Sequence, residues 1–238
     1  MKIHKEESSS NLKERYIKNS LALSAKEVKL LHGKKVCVIG CGGLGGYVVE
    51  MLARVGVGYI TVVDNDVFEA SNLNRQLFST EQVMGVPKVE VAMRRVKEVN
   101  SQVKLKGLHV RFDESNGKEI VRNHHVVIDA LDNVEARLLL EKVCANLALP
   151  LVHGSIGGWY GQVTSILPGD NTIHKIYQNF REEKGAEVIL GNLPFSAALV
   201  ASMQCAECIK ILTGRGSLIR KEILQVDLLE GEFYKMKL

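Results

Sequence analysis

Residues 35–46, KVCVIGCGGLGG, decide how this chain is read. Val36, Val38 and Ile39 form a short apolar run that predicts a buried strand, and glycines follow at once. Gly40, Gly42, Gly43 and Gly45 then open a segment, residues 47–55, whose apolar positions recur at helical spacing. Strand, glycine turn, helix is the order that lets backbone N–H groups approach a phosphate at a helix N-terminus. A side chain in the turn obstructs that approach, and the first turn needs backbone angles that glycine tolerates best. A second apolar run, residues 59–63, ends in Asp64, at the spacing where such units place an acid on a ribose hydroxyl. A glycine turn that only packs helix against sheet is the plainer reading. Strand, helix, then strand plus acid favours a bound nucleotide, without saying which one.

The composition sets the outer bounds. With 238 residues, 46% apolar and 24% charged, the chain has the make-up of a soluble globular protein with a substantial core. Its length admits one large α/β domain or two small ones. The net charge of +4 is small and the Lys and Arg residues are scattered, so no nucleic-acid partner is expected. No apolar run reads as long enough to span a bilayer, and the opening residues MKIHKEESSS lack the apolar core of a signal peptide. Five cysteines, an odd number, do not form a disulfide framework. These features predict a cytoplasmic protein with no membrane partner.

Residues 1–14 read as a mobile arm, and the pattern through residue 31 predicts one or two short helices. After Asp64 comes a dense polar stretch: Asp66, Asn72, Asn74, Arg75 and Gln76. Pro87 sits where a helix would begin, at the first helical position that proline favours. Lys88 then faces the positive end of the macrodipole, a disfavoured place by about 0.3–1 kcal/mol, which a phosphate would offset. Residues 103–110 predict an edge strand, 125–131 a buried strand, and 133–147 a helix. Asp132 with Glu135 three residues on reads as a capping box. Two more strands, 151–156 and 161–167, flank a turn carrying Gly157, Gly158 and Trp159. A long polar stretch, 170–191, reads as a crossover loop. A long apolar helix, 195–212, and two antiparallel strands around Glu230 and Gly231 complete the chain. The order predicts an α/β fold: one mixed, mainly parallel sheet with helices on both faces and antiparallel C-terminal strands. No composition shift divides it, so one domain is expected.

Six motifs stand in this order: GCGGLGG from Gly40, DND from Asp64, NLNRQ from Asn72, VPK from Val86, DALDN from Asp129 and VHGSIGGWYGQVTSILPG from Val152. The set resembles the ThiF/MoeB/HesA family, relatives of the ubiquitin-activating enzymes, from about Arg15 to the last residue. The resemblance implies a Rossmann-like nucleotide-binding fold in a single adenylation domain, residues 1–238. Within it, 33–168 form the nucleotide-binding core, 169–192 the crossover loop and 193–238 the C-terminal helix and strands. Family members use MgATP to adenylate the C-terminal glycine carboxylate of a small β-grasp sulfur-carrier protein ending in Gly-Gly, releasing pyrophosphate. By resemblance, Gly40, Gly42 and Gly43 line the nucleotide pocket and Asp64 takes the ribose hydroxyls. Asn72, Arg75 and Lys88 hold the triphosphate, with Gln76 beside them. Asp132 coordinates Mg²⁺, and Asn133 completes its motif at the nucleotide. Arg75, Lys88 and Asp132 are the expected catalytic set, because joining a carboxylate to a phosphate needs cations and oriented donors. Family members are commonly homodimers, and the apolar residues of the N-terminal segment agree with that.

The departures from the pattern carry expectations of their own. An Arg of the N-terminal segment often reaches into the partner's ATP site, and matching RYIKN to that segment puts Lys18 there. Lysine keeps the charge and loses the bidentate fork. Relatives with a structural zinc carry two Cys-x-x-Cys pairs. Here Ile173 and Ile176 occupy the places of the first, and the chain given stops at Leu238, where the second would follow. Cys205 and Cys208 make one pair inside the apolar helix, and one pair does not complete a Cys₄ site, so no structural zinc is expected. No cysteine lies between Cys144 and Cys205, and Glu187 is nearest to the crossover cysteine of some relatives. Adenylation without a thioester step is therefore expected, with a separate sulfur donor. Cys37 and Cys144 read as core. Cys41, inside the glycine loop, reads as packed or partly reactive. His153 and His174 read as isolated histidines, and Trp159 as lying near the carrier's entry path or a dimer interface.

Other functions stay open at this level. The same chemistry serves a small carboxylate or a modified tRNA, as in the threonylcarbamoyladenosine dehydratase branch. A nicotinamide-dependent oxidoreductase has no need of Arg75, Lys88 and Asp132 together. A silent scaffold has no physical reason to keep that set.

Overall fold

Short β-branched runs make the central strands of the structure, a computed structural model that describes residues 14–19, 21–178 and 190–238. The expected arm before residue 14 and the middle of the expected crossover, with Glu187, lie outside these residues. Eight strands form one sheet: β1 (Lys35–Ile39), β2 (Tyr59–Val63), β3 (Lys104–Leu108), β4 (Val126–Asp129), β5 (Leu151–Gly157), β6 (Tyr160–Ile166), β7 (Glu222–Asp227) and β8 (Glu232–Lys237). Their order is β3-β2-β1-β4-β5-β6-β7-β8. The first five positions pair in parallel, and β5 through β8 pair antiparallel. β3 lies at the edge, as its polar sequence predicts.

Alternation along the strands divides the core in two. Val36, Val38, Ile60, Val62, Val126 and Ile128 face one side of the sheet. There they meet α2 (Gly43–Val55), α3 (Lys88–Val99) and α7 (Pro194–Thr213). Cys37, Ile39, Val63 and Val127 face the other side, with α4 (Gly117–Val121), α5 (Val134–Asn146) and α6 (Thr172–Tyr177). Helix α1 (Ala25–His32) precedes β1. Fully buried side chains such as Leu52 and Leu140 each contribute about 1.5–3 kcal/mol of transfer free energy.

Several local expectations change. Pro87 is the N-cap of α3, so Lys88 is the first helical residue. Asp132 forms no capping box: the cap of α5 is Asn133, whose Oδ1 accepts from the Ala136 N–H at 2.8 Å. The crossover opens with a short helix, α6, rather than a loop. Against the expectation that no segment spans a bilayer, α7 is long and apolar enough by length and composition. Half of it is buried inside the fold, along α2, β5 and β6.

Candidate active site

The glycine turn is built by close approaches. From the end of β1 the chain turns at Gly40 with φ +99°, and a side chain there would strike the Ala130 carbonyl. A side chain at Gly45 would run into the Gly40 carbonyl oxygen, so the first turn of α2 is pressed onto the turn before it. Gly42 is the N-cap, with no side-chain cap and no acidic residue in the first helical turn. The first N–H groups of α2 therefore stay available to an anion.

A cavity of about 340 Å³ lies over this turn at the C-terminal ends of β1, β2, β4 and β5. Gly40, Gly42, Gly43, Asp64, Arg75, Gln76, Lys88, Asp132 and Asn133 all line it. Asp64 is held by two backbone donors, Cys41 N–H to Oδ2 at 2.6 Å and Asp66 N–H to Oδ1 at 2.8 Å. Burial pushes its carboxyl up, against the pull of the Lys88 ammonium and those two N–H groups. Buried Lys88 donates from Nζ to Asp66 Oδ2 at 2.9 Å. Asp66 thus supplies the anion that a cation at a helix start requires, where the sequence pointed to a phosphate. Arg75 donates from Nη1 to Ser71 O and Asn74 Oδ1, both at 2.9 Å. The exposed Asp132 carboxylate has no hydrogen-bond or ion-pair partner among the described residues.

Asn72 and Lys18 do not line this cavity. Asn72 is buried beside the cavity wall, where its Oδ1 accepts from the Glu69 N–H at 3.1 Å and closes a 3₁₀ turn. Lys18 is exposed on the turn Ile17–Asn19. That segment is fastened by Arg15 Nη1 to Val99 O at 2.7 Å and by Tyr16 Oη accepting from Asn100 Nδ2 at 2.8 Å. Val99 ends α3, so this anchor lies about 18 Å of helix away from Lys88 at its start.

Behind the cavity lies a buried polar group that single-sequence reading passed over. Asp129 and His153 are fully buried and meet at 2.7 Å, Oδ2 to Nδ1, so His153 is not isolated. His153 Nε2 faces Gln162 Nε2 at 3.3 Å and accepts from it. Gln162 Nε2 and Arg137 Nη1 both donate to Tyr177 Oη, at 3.1 and 2.9 Å. Arg137 reaches the cavity wall and donates from Nη2 to Leu131 O at 2.6 Å. The one signal in the sequence was an arginine inside DALDNVEAR, on a helix with an apolar face.

All five cysteines are free and buried. Burial pushes the Cys41 thiol far above its usual range and those of Cys144 and Cys205 up to about 12, and Cys41 is packed into the core. Among the described residues no three His, Cys, Asp or Glu side chains gather as metal ligands. Trp159, at the β5–β6 turn, is 41% exposed and packs against Phe195 at 4.9 Å between ring centroids.

Known proteins resemble this chain over most of its length. The model of the ThiF family matches residues 15–238. The SAMP-activating enzyme E1 of Haloferax volcanii is 36% identical over 208 residues, which cover 85% of this chain and 76% of that protein. The sulfur carrier protein adenylyltransferase of Thermus thermophilus is 35% identical over 212 residues, covering 84% and 77%. The crystal structure of E. coli MccB with ATP superposes with a TM-score of 0.80 at 22% identity, covering 94% of this chain and 71% of that one. It shares the fold.

Proposed function

The chain belongs to the ThiF family, and from that premise we propose that it is an ATP-dependent adenylyltransferase. Its substrate in this reading is the C-terminal glycine carboxylate of a small β-grasp sulfur-carrier protein. The observation that carries the reading is one cavity that joins an uncapped helix N-terminus to Asp64, Arg75, Lys88 and Asp132. Asp64 receives the ribose hydroxyls. The α2 N-terminus, Arg75 and Lys88 receive the triphosphate. A carboxylate oxygen of the carrier attacks the α-phosphorus, and the bond from that phosphorus to the bridging oxygen breaks. Pyrophosphate leaves with the electron pair, and an acyl-adenylate remains. The cations answer the meeting of two anions, and positioning does the rest.

Mg²⁺ fits this donor set: Asp132 offers one hard carboxylate oxygen, and phosphate oxygens would complete the shell and have their charge neutralised. The buried cysteines support an acyl-adenylate that is passed on without an enzyme thioester. Lys18, anchored at the far end of α3, serves in this reading the cavity of a second copy in a homodimer.

Pyrophosphate exchange into ATP tests the proposal. We expect exchange only when a β-grasp protein ending in Gly-Gly is present, and loss of it when the terminal glycine is deleted. Exchange that is indifferent to any such protein would overturn the reading.

A further inference from the structure

The exposed carboxylate of Asp132 has no hydrogen-bond or ion-pair partner among the described residues, so its place in the cavity is set by the backbone on either side. Before it, the Leu131 N–H donates to Asp129 Oδ1 at 3.0 Å and the Leu131 carbonyl accepts from Arg137 Nη2 at 2.6 Å. After it, Asn133 caps α5. Arg137 is 2% exposed, and the other end of its fork, Nη1, donates to Tyr177 Oη at 2.9 Å. Buried Tyr177 is the last residue of α6. We propose that Tyr177 is a positioning residue for Asp132: its hydroxyl fixes the Arg137 guanidinium, and Arg137 fixes the Leu131 carbonyl one residue before the carboxylate. The inference rests on the adenylation reading above, in which Asp132 meets Mg²⁺, and adds to it the part of the fold that orients that ligand.

A guanidinium is planar and rigid, so holding one terminal nitrogen sets the direction of the other. The Tyr177 phenol is itself placed from β6, because its Oη also accepts from Gln162 Nε2 at 3.1 Å. α6 is fastened to α5 as well. Glu141, four residues after Arg137 on the same face of α5, is buried and accepts from the Ile173 and His174 N–H groups at 2.7 and 2.9 Å. The position of Asp132 thus depends on the placement of α6, which opens the crossover. Groups behind a metal ligand that orient it are worth about 10–100-fold in metal affinity. A buried hydroxyl that accepts two donors also stabilises α6 against its neighbours, so a structural contact is the competing account. The two accounts differ in what they do to the dependence on Mg²⁺.

Thermal unfolding with ATP, titrated with Mg²⁺ and without any carrier protein, separates them. Tyr177→Phe keeps the ring and removes the oxygen. We expect the Mg²⁺ concentration that gives half of the rise in midpoint to increase about tenfold, the low end for a lost group behind a metal ligand. Arg137→Lys keeps the charge beside Asp129 and loses the fork, and it should shift that concentration in the same direction. Asp132→Ala should raise it too. Adding Tyr177→Phe to Asp132→Ala should then change it no further, because the hydroxyl acts through that carboxylate. A lower midpoint in Tyr177→Phe with the parent's Mg²⁺ dependence would leave a structural contact only and overturn the inference. Additive shifts in the double variant overturn it as well. If Asp132→Ala keeps the parent's Mg²⁺ dependence, the metal reading of Asp132 falls and this inference with it, while pyrophosphate exchange still judges adenylation by itself.

Discussion

Asp129 and His153 are register partners on β4 and β5, and their side chains meet at 2.7 Å in a fully buried contact. The other carboxylate oxygen, Oδ1, accepts from the Leu131 N–H at 3.0 Å, and Leu131 O accepts from Arg137. The two peptide groups that flank Leu131 are thus pinned to buried charged side chains, one residue before Asp132 enters the cavity. A substitution His153→Phe keeps a ring for Tyr177 to pack on and takes the donor from a buried carboxylate. Losing a buried hydrogen bond to a charged group costs about 1.5–3 kcal/mol, and urea unfolding should show a loss of that size. A stability equal to that of the parent chain would mean that the pair does not hold the loop.

Arg75 carries the simplest test of the cavity. Substitution Arg75→Ala should slow carrier-dependent pyrophosphate exchange about 10²-fold or more, the scale of a lost electrostatic donor. It should also abolish the rise in unfolding midpoint that MgATP gives the parent chain, about 2.7 kcal/mol at a hundredfold excess over Kd. A retained rise would move the triphosphate away from Arg75.

The Lys88–Asp66 pair gives a prediction with a sign. In Asp66→Asn the buried ammonium loses its partner, and the ligand-free protein should unfold at a lower temperature. Phosphate then supplies the missing anion, so MgATP should raise the midpoint of the variant by more than that of the parent. Asp66 is 59% exposed in its side chain, which keeps the ligand-free loss near ~1 kcal/mol. An equal or smaller rise in the variant would show that phosphate does not reach Lys88.

How far the sequence reached depends on the range of the interaction. β1, β2 and β4 are apolar runs bounded by Gly or Asp, and α7 ends at Gly214 in the left-handed conformation, so local signals place them. The motifs likewise brought nine residues to one cavity wall. Asp132 and Asn133 both have capping side chains, and nothing local decides between them; Asn133 caps because the pinned Leu131 fixes the turn before it. Lys88 and Asp66 are 22 residues apart, and Asp129 and His153 are 24 apart. These partners follow from strand order, which no single stretch encodes. Asn72 matched a motif, and its Oδ1 closes its own turn. α7 reads as a long apolar helix, and the partners of its buried Gln204 and Glu207 come from strands far away in sequence as well as from its own Lys210: Gln204 Nε2 donates to Asp129 O at 2.7 Å, and Glu207 Oε2 accepts from Ser165 Oγ at 2.6 Å.

Acid should remove one tie at the end of β6. Asp170 Oδ2 accepts from Arg220 Nε at 2.7 Å and from the Leu167 N–H at 3.0 Å, and Oδ1 accepts from Arg220 Nη2 at 3.1 Å. Burial works against the carboxylate, and the hydrogen bonds from Arg220 and Leu167, with the charges of Arg220 and Lys221, outweigh it. The carboxyl is held below its ordinary value of 3.8. A carboxyl depressed in the folded state adds stability above its unfolded value, and that stability is lost as pH falls through the folded one. The variant Asp170→Asn should therefore unfold at a lower temperature than the parent near neutral pH, and the gap should hold down to the unfolded value of 3.8. Below that value the parent's own carboxyl becomes protonated, and the two melting curves should converge. Thermal unfolding followed by circular dichroism across that range decides it: a gap that stays constant into acid would assign the loss to packing rather than to the charge on Asp170.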